Sequence, residues 1–175
     1  MFAKDYSFRG SHAEKVKLLA KTPDESKGKN FKIFNRYMDV YLLAPIVGFL
    51  YNKRAEIDKS PGSANILASI MLNNQKELEF NYRLIMLLDK DYEPDFKNRI
   101  NKAFRDYGNE KSSPDMDRYE EYVRGGIEIL YKELVKPSKM PEDYISNLYK
   151  FMEEFESRYG QSADEIVDLC RLARS

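Results

Sequence analysis

The chain has 175 residues, 42% of them hydrophobic, and its 29 basic and 29 acidic side chains cancel. That is enough apolar material for the core of one domain, and the absence of net charge excludes a global field that would pull the protein onto nucleic acid or a membrane surface. The lone Cys170 excludes an intramolecular disulfide, and the opening Met1-Phe2-Ala3-Lys4-Asp5 lacks the apolar region of a signal peptide, so a cytoplasmic setting is expected. Tyr is abundant, Lys, Ile and Asn are frequent and Trp is absent, a bias associated with AT-rich bacterial genomes.

Charge is unevenly distributed along the chain. Residues 1–36 are basic, whereas residues 142–168 carry eight acidic side chains against Lys150 and Arg158. In chain order, Ser11 to Lys21 reads as a short helix with Ala13, Val16, Leu19 and Ala20 on one side and Ser11 as its N-cap. Thr22 to Asn30 is a polar connector with Pro, Gly and Ser. Residues 1–30 are therefore expected to form a basic, separable arm and linker, and residues 31–175 a helical bundle.

Val40 to Tyr51 carries no charge and is too short to span a bilayer, so it is expected to be the inaccessible central helix, kinked at Pro45. Ser60-Pro61-Gly62 marks a turn. From Ser63 or Asn65 to Leu88 one long helix is expected, bent near Asn73-Asn74-Gln75. Another begins at Pro94 with Phe96, Ile100, Ala103, Phe104 and Tyr107 on one stripe. Ser113-Pro114 opens a helix with Met116, Tyr119, Val123, Ile127, Leu130 and Leu134 on one face, and Pro137 ends it. Pro141 opens the next, which ends at Gly160, and Ser162 with Glu165 forms a capping box for the last. No stretch alternates long enough to specify a strand. The expected fold is all-α, a single-domain bundle of about six or seven helices around a buried, Pro-kinked central one.

Few residues suggest chemistry. Asp39 and Arg83 each stand alone in apolar surroundings and are expected to form a buried ion pair. Arg124-Gly125-Gly126 interrupts a strongly periodic helix at a cost of about 1 kcal/mol per glycine, which a close helix neighbour near Ala44, Pro45 and Gly48 would offset. The competing reading is a helix break that presents N–H groups beside Arg124 to an anion. Lys97, Arg99, Lys102 and Arg105 give the Pro94 helix a basic side that could follow phosphates. The neighbours Ser11 and His12 have no third catalytic partner, and the pairs and triplets of Glu lack the histidines of a diiron bundle. No catalytic residue, metal site or cofactor is expected.

Tyrosines cluster along the chain, and such amphipathic rings suit a core boundary or a protein interface. These features together lead to the expectation of a non-enzymatic interaction or regulatory subunit of a bacterial multiprotein complex, an accessory of a defence or mobile-element system. Its partner would be another protein or a second copy, with no membrane association. The alternative is a nucleic-acid-binding accessory protein that uses the basic arm and the Lys97–Arg105 face, with Arg124 as a further binding residue.

Overall fold

In a computed structural model that describes residues 1–20, 33–159 and 163–174, the uncharged segment forms the helix α2, Tyr37–Leu50. Its first turn is held by Asp39, whose carboxylate accepts hydrogen bonds from the Arg36 backbone N–H at 3.0 Å and from the Arg36 guanidinium at 2.7 Å. The last turn closes through Lys53 N–H donating to Gly48 O at 2.8 Å, next to Asn52 with its left-handed φ of 48°.

One side of α2 presses on α6, Ser113–Leu130, at backbone distance. A Cβ on Gly126 would overlap the Ala44 carbonyl, one on Gly125 the Lys53 carbonyl, and one on Gly48 the Tyr122 carbonyl. These three glycines are therefore packing glycines in continuous helices, and the anion-binding break at Arg124 is not formed. The segments Gly10–Ala20, Ser63–Ile66 and Gln75–Leu88 cover further parts of α2, and one side is left open. Val40, Tyr41, Ala44 and Val47 are buried, but Leu43 is 38% exposed, so the expected all-round burial does not hold. Pro45 is buried within the helix.

The N-terminal segment is part of this core, not a separable arm. Tyr6–Arg9 forms β1, which pairs antiparallel with β2, Ser63–Ile66, in the register Tyr6 with Ile66 through Arg9 with Ser63. The α1 helix, Gly10–Ala20, then buries Ala13, Val16 and Leu19 completely. Its N-terminus is held by Asp58, reached across the turn, rather than by Ser11 as expected. Asp58 accepts from Ser60 Oγ–H at 2.6 Å, from Ser11 N–H at 2.9 Å and from Ser60 N–H at 2.9 Å, and these bonds, that of the Ser60 hydroxyl first, hold its carboxyl well below the ordinary carboxylate range. Gly10 sits at φ 54° against the Asp58 carboxylate, a position that leaves no room for a side chain. The connector Thr22 to Asn30 lies outside the described residues.

Two expectations between residues 63 and 105 change. The single long helix is instead β2 followed by two helices, α3 (Ala68–Asn73) and α4 (Gln75–Leu88), separated at Asn74, whose side chain donates to Ile70 O at 2.7 Å. β2 takes residues 63–66 because Ala64 and Ile66 alternate with exposed Ser63 and Asn65, and four residues suffice when a partner strand is present. Pro94 lies before the next helix, and Asp95 caps it by accepting from Asn98 N–H at 2.8 Å. This helix, α5 (Phe96–Ile100), runs on into a π-helical turn over Asn101–Arg105.

After α6 a second π-helical turn, Tyr131–Val135, leads to α7, Pro141–Tyr159, and then to α8, Ala163–Arg174. α7 opens at Pro141 as expected, with the Asp143 carboxylate accepting from Lys139 N–H and Met140 N–H, each at 2.8 Å. The capping box Ser162 with Glu165 lies outside the residues whose side chains are described. The fold is all-α and single-domain, with eight helices and one two-stranded sheet among the described residues.

Many of the tyrosines lie within this core rather than at its boundary. Tyr41, Tyr82, Tyr119 and Tyr122 are at most 2% exposed, and the ring centroids of Tyr41 and Tyr82 lie 6.4 and 5.8 Å from that of Tyr119.

The glycine contact and the open side of α2 predict opposite responses to substitution. Gly126→Ala should lower the unfolding free energy by about 3 kcal/mol or more, because backbone cannot move aside as a flexible side chain can. Leu43→Ala should cost less than about 1 kcal/mol. Urea unfolding of both variants checks this, and equal losses would contradict the packing described.

Candidate functional site

The residues expected to carry chemistry are dispersed by the fold. Asp39 is committed to Arg36 at the start of α2. Arg83 on α4 instead lies 3.7 Å from Glu79, one turn earlier, with its guanidinium over the rings of Phe104 at 5.1 Å and Tyr107 at 5.8 Å. The expected Asp39–Arg83 ion pair is not formed, because each charge finds a partner within its own helix or cap.

The basic face of α5 is also broken up. Arg99 is buried and donates to three backbone carbonyls, those of Leu87, Glu93 and Pro94, each at 2.8 Å. It ties the loop after α4 to the core. Lys102 pairs at 2.7 Å with Asp115, which is 1% exposed and also accepts from Tyr92 Oη at 2.8 Å. Lys97 and Arg105 remain exposed, but two cations make no continuous phosphate track. A similar internal cluster surrounds Asp89, which accepts from Tyr122 Oη at 2.8 Å and Arg118 Nε at 2.9 Å.

Two candidates line cavities: Asp39 borders an open one beside Leu43 and Phe80, and Arg124 a more enclosed one. Arg124 faces a pocket of about 230 Å³ between β1, the start of α1, residues 57–58 and α6, together with Tyr6, Arg9, His12, Asp117 and Glu120. Its Nε donates to Ala55 O at 2.7 Å, and its Nη1 stands 4.0 Å from Glu120 Oε2. The two Glu120 oxygens each accept one phenol, Tyr6 Oη at 2.5 Å and Tyr41 Oη at 2.6 Å. Burial pushes the Glu120 carboxyl up, while the bonds from Tyr41 and Tyr6 oppose the rise. Both phenols are in turn pushed well above their ordinary value, by burial first and then by the nearby carboxylate.

His12 closes the inner side of this pocket. It is 4% exposed, its Nε2 lies 3.4 Å from Glu128 Oε1, and neither ring nitrogen makes a hydrogen bond among the described residues. Burial lowers its pKa from 6.5, helped by the Lys15 charge and opposed by Glu128. The imidazole is therefore held neutral.

Sequence reasoning missed Glu120, Tyr6 and His12 as a group. A signal existed for Glu120: it falls on the Met116, Val123, Ile127 row of α6, four residues after Met116 and three before Val123, where a solvated charge has no place. Nothing local places Tyr6 beside it, because the contact spans 114 residues.

A second surface lies on α7. Leu148, Phe151 and Phe155 pack inward, and the Phe151 ring stacks on Tyr51 with centroids 6.1 Å apart. Ile145, Tyr149 and Met152 form an outer stripe at helical spacing, 46%, 65% and 57% exposed. Glu142, Glu153 and Glu156 lie on or beside that stripe by the same helical spacing.

Among the described residues no helix is long and apolar enough to cross a membrane, and no group of three or more His, Cys, Asp or Glu could hold a metal ion. Comparison with protein families matches residues 11–171 to the DNA sulphur modification system-associated protein 4 family. The chain belongs to this family. Neither the curated proteins nor the solved structures gave a match. Membership fits an accessory protein of a bacterial defence or mobile-element system, and the match reaches from the start of α1 almost to the end of α8.

The setting of His12 in this family member gives a direct test. An imidazole with a lowered pKa makes a contribution to stability that is complete above 6.5 and is lost as pH falls below it, because the unfolded chain then binds the proton first. NMR of the single histidine should show a midpoint below 6.5. A midpoint at or above that value would place the ring in water or in a formed ion pair with Glu128.

Proposed function

We propose that this member of the family is a non-enzymatic interaction or regulatory subunit of a cytoplasmic bacterial DNA sulphur modification system, contributing to antiviral defence through contacts with another protein of the system. The observation that carries this reading is the outer stripe of α7. Three large apolar side chains at helical spacing, about half to two-thirds exposed, are more than an isolated solvent-facing helix requires. The acidic residues beside them supply a polar rim, as at protein interfaces.

The family description supports a role within a multicomponent system. The internal pairing of Asp39, Arg83, Arg99 and Lys102 supports a structural use for the charges that first suggested chemistry. A nucleic-acid role loses its main support because Arg99 and Lys102 are turned to internal partners.

Co-expression with the other proteins of the system, followed by size-exclusion chromatography, tests the proposal. The full chain should co-elute with at least one of them. The doubly substituted Ile145→Asp, Met152→Asp chain should keep its helical circular dichroism and bind about tenfold or more weakly. Unchanged co-elution of that variant would remove α7 from the interface. Association only with DNA, lost steeply as salt rises, would favour the nucleic-acid role.

A further inference from the structure

The α7 surface leaves the pocket beneath β1 unexplained. Polar side chains of both signs line a concave space there, and the best buried of them, His12, has no hydrogen bond among the described residues. Buried polar groups without partners are uncommon, because each costs roughly 1–3 kcal/mol in lost solvation. Here the imidazole, 3.4 Å from Glu128 Oε1 without a formed hydrogen bond, faces a cavity instead of packed apolar side chains.

The lining selects a class of ligand. Arg9 and Arg124 supply positive charge, and Asp58, Asp117 and Glu120 supply negative charge. Asp58 is occupied by Ser11 and Ser60, which leaves two guanidinium groups and two carboxylates for a visitor. A simple anion would meet Glu120 and Asp117, and a simple cation would meet Arg9 and Arg124. At the inner end the Glu120 carboxylate and the Arg124 guanidinium stand side by side, an acceptor next to a donor 4.0 Å apart. Each Glu120 oxygen accepts one phenol and keeps a second lone pair.

We infer that this pocket binds a small molecule that carries a hydrogen-bond donor for Glu120 and an adjacent acceptor for Arg124, with His12 as a third contact. A volume of about 230 Å³ is that of some seven or eight waters, enough for a group of about ten heavy atoms. Two sources share this chemistry. The lactam edge of guanine would place its N–H groups on Glu120 and its carbonyl oxygen on Arg124. An amino-acid zwitterion would place its ammonium on Glu120 and its carboxylate on Arg124, with Arg9 at the rim. Neutral His12 can serve either as donor or acceptor, as the tautomer requires.

Because the chain contains one histidine, isotope labelling of histidine gives a single imidazole reporter inside the pocket. Tag-free full-length protein so labelled is titrated with guanosine, with L-leucine and, as a control, with inorganic phosphate. A saturable shift of the His12 signals by guanosine identifies the lactam source, and one by L-leucine the zwitterion; phosphate should cause none. Glu120→Gln and Arg124→Gln should each weaken the effective probe about tenfold. Arg9→Ala, at an exposed rim position, keeps the fold testable if the inner variants do not fold, and should weaken the zwitterion in particular. Unmoved His12 signals with both organic probes, or a response to phosphate alone, would overturn the inference. So would unchanged affinity in a folded Glu120→Gln protein.

Discussion

The contact on which the rest depends is the meeting of α2 and α6 at Gly48, Gly125 and Gly126. Helix backbones approach this closely only where side chains are absent, and here each glycine accommodates a carbonyl of the opposite segment. The glycines lower the intrinsic helicity of α6, and tight burial of Ala44, Val47, Val123 and Ile127 around them compensates. The same approach fixes the height of Glu120 relative to Tyr41, whose hydrogen bond helps hold the Glu120 carboxylate that lines the pocket. Adding bulk at the glycines would therefore separate the elements that shape the pocket as well as open the core.

Around this contact the molecule handles its buried charges by enclosing each acid among phenols and cations. Asp89 is met by Tyr122 and Arg118, Asp115 by Tyr92 and Lys102, and Glu120 by Tyr6 and Tyr41. A phenol suits this role because its ring extends the apolar core while its hydroxyl donates a charge-assisted bond. The tyrosine richness of the sequence thus serves the interior as much as the surface. Tyr149, on the outer face of α7, is an exception that points outward.

Most of the helices could be read from the sequence, because periodic apolar residues and the punctuation at Pro114 and Pro141 are local signals. The glycine contact was legible too: two glycines inside a periodic helix require a compensating neighbour, and Ala44 and Gly48 were the small residues available in the most apolar helix. What could not be read depended on distant partners. β2 is four residues that would suit a helix equally well and take the extended form because β1 lies beside them. Arg99 looks like a surface cation until three carbonyls converge on it. Asp39 looks like a core charge until the Arg36 cap claims it. The pocket was the least legible feature, since Tyr6, His12 and Glu120 are brought together only by the completed fold.

That long reach sets the order in which the fold can be assembled. Tyr6 bonds to a residue 114 positions away, and Ser11 to one 47 positions away. Loop closure over such spans costs entropy before any contact is made, so segments joined in this way settle late. β1 and α1 are made before the segments they pair with and are thus among the last to find their places: β1 waits for β2, and the Tyr6 hydroxyl waits for α6. During synthesis the apolar side of α1 emerges before α6 can cover it, which leaves that side open to mispairing.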